Sequence, residues 1–336
     1  MKARQLDLLN IGLMLVSLLL AYQLPFTLFL LAYAFLGPLH YLTEINWLQR
    51  KQFFVGDGRW GWIATLFALL VVLPKFFILP PFASTEEGAA LPGVIGWLLS
   101  WSNALIFIWL MTSIGLIVSR KLPVVGGFAI AGIALGIALN GIDGYQLLIG
   151  LMVPTLVHVY LFTLLFMVFG TLKSRTREGW LAAAIMVCIP VFVALWEVTP
   201  ANYVFPQLAK DTFLGTNFHV TNARIAKFFG WSDGSSFFFY EKMEVKLQIF
   251  IAFAYTYHYL NWFSKTTVIG WHKQLTTGRT LAIVLVWLVA CALFAYDYQT
   301  GFLLLLGLSF MHVFMEFPLN ALSVKSIVQA LRGGGR

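Results

Sequence analysis

Two short segments place titratable groups inside stretches otherwise fit for lipid. FMHVFMEFPLN (310–320) carries His312 and Glu316 four residues apart, and HYLTE (40–44) repeats that spacing with His40 and Glu44. Residues four apart share one face of a helix, so each segment sets an imidazole and a carboxylate side by side. Two further histidines lie inside expected spans, His158 in the apolar PTLVHVYLF and His258 in the unusually polar YTYHYLNWF. Imidazole is the commonest protein ligand for iron, zinc and copper. Four of them on separate helices can close around one ion. Glu44 and Glu316 either complete that coordination, orient the imidazoles through hydrogen bonds, or mark the inner water boundary; we favour the orienting role over direct ligation. Tyr255, about one turn before His258, is expected to share its face and to hydrogen-bond a ligand-bound oxygen. Tyr259 and Trp262 read as interfacial belt residues, and His219 and His272 as solvated surface residues.

The elements that must position these groups are membrane helices. Of 336 residues, 60% are hydrophobic and 11% charged, with a mean hydropathy of +0.83. A soluble domain is about half apolar and about a quarter charged. Apolar runs long enough to span a bilayer fall at about 7–23, 26–47, 60–80, 93–118, 123–140, 146–171, 179–199, 247–264, 280–297 and 300–321. The expected fold is therefore an all-α polytopic transmembrane bundle of about ten spans, one transmembrane domain over 1–336. Lys and Arg alternate with these spans. They occur at Lys2 and Arg4, at Arg50, Lys51 and Arg59, at Arg120 and Lys121, and at Lys173, Arg175 and Arg177. They recur at Lys265, Lys273 and Arg279, and at Lys325, Arg332 and Arg336, while the connections near Gln23, Glu86–Glu87, Asp143 and Asp297 have none. By the positive-inside rule both termini are cytoplasmic, and the first helix reads as retained rather than as a cleaved signal.

The formal charge of +8 is thus mostly topological. Its natural partner is anionic lipid, and nucleic-acid binding is not expected. Cys188 and Cys291 both lie in apolar runs and form neither a disulfide framework nor a thiolate metal motif. Residues 200–246, with five basic residues, form a long extracytoplasmic loop between spans seven and eight. We read it as a surface loop; Asn222–Gly230 can form a short amphipathic helix at the interface, and a lid role is the alternative.

The spans bearing His40, His158, His258 and His312 all run from outside to inside, so depths can be compared from the inner flank. The histidines lie ten, fifteen, seven and thirteen residues before Arg50, Lys173, Lys265 and Lys325. That is a layer roughly 12 Å thick at ~1.5 Å per residue, in the cytoplasmic half of the bilayer. Polar groups at such depth are costly and face the bundle interior. Pro38, Pro154 and Pro318 lie near three of them, where a freed carbonyl or a bend can open a cavity.

Without thiolates, the donor set suits nonheme Fe(II), zinc or copper. Four imidazoles leave open positions on six-coordinate Fe(II), as an oxygenase requires. Four on a tetrahedral zinc would give a closed, structural site. The histidine set is small for a membrane diiron centre, and a bis-histidine haem protein remains an alternative. So does a proton- or metal-coupled transporter, which would need an aqueous path. The 31 phenylalanines suit a hydrophobic small-molecule substrate, although contact with lipid accounts for most of them.

In chain order the motifs resemble those of the Brp/Blh family of bacterial and archaeal membrane β-carotene dioxygenases. Gly37-Pro38-Leu39-His40 with Glu44 resembles the first motif, His158 the second, His258 in its aromatic helix the third, and His312 with Glu316 the fourth. Leu39 separates Pro38 from His40, and Asn261 and Trp262 stand where a further histidine is usual. The resemblance implies an Fe(II) site on these histidines, oxygenase chemistry on a carotenoid-like substrate, and a bacterial inner (cytoplasmic) membrane.

Overall fold

Apolar residues outnumber all others in every long segment, so backbone groups removed from water must be satisfied within the segment, and the helix does this. The computed structural model describes residues 2–79 and 93–333, and every regular element among them is helical. In chain order these are α1 (Ala3–Gln23), α2 (Pro25–Arg50) and α3 (Arg59–Phe77), then α4 (Gly93–Ser100) and α5 (Ser102–Val118), which meet at a 54° bend. Then come α6 (Leu122–Leu139), α7 (Asp143–Ser174) and α8 (Arg177–Leu195). Two shorter helices follow, α9 (Gln207–Gly215) and α10 (Phe218–Phe228), then α11 (Lys242–Ser264), α12 (Thr277–Tyr296) and α13 (Tyr298–Gly333). Eight of them are long and apolar enough to cross a membrane, or nine if the bent α4–α5 pair is one span. The expected connection at Glu86–Glu87 and the terminal Arg336 lie outside the described residues.

The chain divides into two compact units, Met1–His40 with Leu156–Lys273 and Ser326–Arg336, and Tyr41–Thr155 with Gln274–Lys325. Within the first, α11 packs against α1, α2, α8 and α10. It is not among the eight apolar helices, yet sixteen of its 23 residues are buried. Its polar side chains have protein partners. Lys246 Nζ donates to the Ala194 carbonyl at 2.6 Å, Gln248 Nε2 to the Pro25 carbonyl at 3.3 Å, and Tyr257 Oη to Asn10 Oδ1 at 3.4 Å. Helix α12 is the converse: in its most apolar stretch only 11% of residues are buried. In a bilayer the most apolar surface faces lipid and the polar groups turn inward.

Residues 200–246 are not a plain surface loop. Helix α10 begins at Phe218, ahead of the expected Asn222, and its Ala223, Ile225 and Ala226 are buried. Asn222 Nδ2 donates to Gln248 Oε1 at 3.1 Å, tying α10 to α11. On α9, fully buried Phe213 meets Phe26 edge-on at 4.9 Å. The segment is a helical cap packed on α2 and α11.

In the second unit, α5 and α6 approach through Gly132 and Gly136, where an added Cβ would lie 3.1 Å from Ile108 Cα and 3.2 Å from Ala104 Cβ. Small residues four apart permit such close approach in membranes. Helix α5 also holds α13. Pro318 has no N–H, so the Phe314 carbonyl loses its helical donor, and buried Trp109 Nε1 donates to that carbonyl at 2.8 Å. Trp109→Phe is expected to lower stability by about 1–3 kcal/mol, measured by thermal unfolding in detergent. In a Pro318→Ala background, where the helix recovers its own donor, the same substitution should cost clearly less. Equal costs in both backgrounds would show that the indole does not serve the orphaned carbonyl.

Candidate metal centre

The helices that carry His40 and His158 both depart from α geometry beside a proline. In α2, residues Ala32–Leu36 form a π turn in which Gly37 N–H bonds back to the Ala32 carbonyl, five residues earlier. The extra residue precedes Pro38, which cannot donate, and the α-helix resumes with His40 in its first turns. In α7 the π geometry runs from Gln146 to Phe162 and contains both Pro154 and His158. Such insertions recur at functional sites because they re-aim side chains without ending the helix.

His40, His158, His258 and His312 are 1%, 1%, 6% and 2% exposed. Each offers one ring nitrogen, and these four atoms all lie within 4.8 Å of one another. His258 touches two of the other rings, with centroids 4.7 Å from His40 and 5.0 Å from His158. Its Nε2 lies 3.1 Å from His40 Nε2. Two nitrogens bound to one ion at about 2.0–2.1 Å, at angles near 90–109°, stand about 2.9–3.4 Å apart. The observed separation falls in that range.

The tautomer of His258 follows from its other nitrogen. Nδ1 is 2.8 Å from Thr163 Oγ1, and that hydroxyl is 2.9 Å from the Val159 carbonyl. A hydroxyl has one proton. With it committed to the Val159 carbonyl, which can only accept, the Thr163 oxygen accepts from His258 Nδ1–H. The Nε2 lone pair then points toward His40. This is how an outer partner fixes a ligating imidazole.

Several expectations change. Tyr259 and Trp262 are not belt residues: both are buried, with ring centroids 5.2 and 5.5 Å from His40, and Trp262 stacks on Trp271. The Tyr255 ring lies against Phe29 at 5.2 Å, Tyr33 at 6.1 Å and Tyr259 at 6.2 Å, the last being the ring that packs on His40. Glu44 and Glu316, 2% and 1% exposed, do not mark a water boundary. Among the described residues the four-membered group contains no carboxylate. His219 is half-buried beside Phe237, and burial holds its pKa below the ordinary imidazole value. His272 is exposed, as expected.

Two neighbours of the site had not been singled out from the sequence. Tyr41 stacks on the His312 ring at 4.2 Å, and Thr163 orients His258. The signal for Thr163 is its place five residues after His158 where π geometry gives way to α, a spacing that α periodicity does not flag. No family model, curated protein or solved structure matches the chain.

Proposed function

We propose that the four histidines bind one transition-metal ion, nonheme Fe(II) in the first instance, and that the chain is a membrane-embedded oxygenase. Its substrate would be a hydrophobic molecule drawn from the lipid phase, with a carotenoid-like compound as first choice. In this reading α11 is the tenth span and both termini are cytoplasmic.

The observation that carries the proposal is the convergence of four buried imidazoles, one of them held by Thr163 with its Nε2 lone pair turned toward another. Four neutral nitrogen donors without thiolate suit Fe(II), copper or zinc. Fe(II) held by four of them keeps positions open for O₂, and the redox chemistry belongs to the metal. The protein's residues supply the fixed donors and a buried enclosure, with Tyr259 and Trp262 closing the His40 side. The spacing weighs against haem. His40 Nε2 and His258 Nε2, 3.1 Å apart, are too close to hold one haem between them.

Elemental analysis with an optical spectrum of the detergent-purified protein tests this. Stoichiometric iron without a Soret band is the expected result. A Soret band would replace the reading with haem, and the absence of any bound metal would end it.

A further inference from the structure

Beyond the histidines, a second set of buried polar groups runs along α13. From His312 the same face carries Glu316, Asn320 and Ser323 at intervals of four, four and three residues. All four are buried, the last two at 2% and 0% exposure. The span is about 16 Å at ~1.5 Å per residue. Neither amide atom of Asn320 nor the Ser323 hydroxyl has a hydrogen-bond partner among the described residues.

The strip ends two residues before Lys325, which is exposed and whose Nζ bonds to the Ile117 carbonyl of α5 at 2.7 Å.

Leaving this many polar atoms dry in an apolar interior would cost about 1–3 kcal/mol each. Buried water, making two to four bonds per molecule, is the ordinary solution. The lining is made of oxygen donors, carboxylate, amide and hydroxyl, which suit a passing hydrated cation better than a permanent transition-metal site. A metal site enclosed to this degree needs an access path.

We propose that the face Glu316–Asn320–Ser323 is a hydrated track through which a divalent cation reaches the histidine group from the Lys325 end of α13. Its hydration stands on the unpartnered atoms alone. Its role as a loading route rests on the metal reading above.

Two experiments separate these levels. In a Cys188→Ala/Cys291→Ala background, Ag⁺ is added to Asn320→Cys and Ser323→Cys, with Leu303→Cys, fully buried on the same helix, as the dry control. The track thiols are expected to react at least about tenfold faster than the control, because a dry path must strip the ion of water. Rates equal to the control overturn the track. Second, Co²⁺ uptake is followed optically on metal-stripped protein in detergent. Asn320→Leu and Ser323→Ala are expected to slow loading, the former by about tenfold or more, with final stoichiometry unchanged. Wild-type loading rates in both variants, with fast thiols, overturn the loading role. Protein that binds no Co²⁺ under any condition overturns the metal reading and the loading role with it, and the Ag⁺ rates then decide hydration by themselves.

Discussion

Purified His258→Ala protein is expected to carry almost no metal, falling from about one ion per chain to below about 0.1, with helical content by circular dichroism unchanged. His258 meets both His40 and His158, and its orientation is anchored by Thr163. Removing it takes away one donor and the neighbour against which His40 is set. His272→Ala, at an exposed position, is the matched control and should keep its full complement. Retention of stoichiometric metal by His258→Ala would dismiss this histidine as a ligand.

Thr163→Val is the sharper probe, because it preserves shape and deletes a single hydroxyl. His258 Nδ1–H would then lose the Thr163 acceptor, and the ring could turn or move its proton to Nε2, the nitrogen needed as donor. Metal affinity, read by competition with a chelator, is expected to fall about 10–100-fold, or roughly 1.4–2.7 kcal/mol. Thr163→Ser keeps the oxygen and should restore most of it. An unchanged affinity in the valine variant would mean that the hydrogen bond orients nothing of consequence.

Hydropathy located the long helices and the histidine group because both depend on signals that survive in one dimension. A membrane helix is a long apolar run, and four imidazoles at one depth stand out against it. What was lost had a physical cause in each instance. Tyr259 and Trp262 resemble belt residues because aromatic rings suit an interface and a buried metal pocket equally well; only packing against His40 separates the two. Helix α11 is legible as a span but not as the most buried one, since Glu244, Lys246 and Gln248 look like surface residues until the partners of Lys246 and Gln248 are seen. Glu44 and Glu316 were ambiguous for the same reason: whether a carboxylate near a helix end meets water depends on its neighbours. Of the two helices in the 200–246 cap, α10 was legible as an amphipathic segment at Asn222–Gly230, whereas the shorter α9 was not, and the apolar faces of both fit this protein rather than lipid.

The π geometry of α7 has a consequence for how this segment can vary. A stretch with one surplus residue per turn is, in effect, an insertion absorbed without a loop. Deleting a single residue between Gln146 and Pro154 would let one wide turn close to the regular 3.6 residues, with the faces on either side of the cut still in register. His158 would keep its direction and its depth to within ~1.5 Å. In a regular helix the same gap would turn every side chain beyond it by about 100°, so this helix tolerates the loss of one position where its neighbours would not.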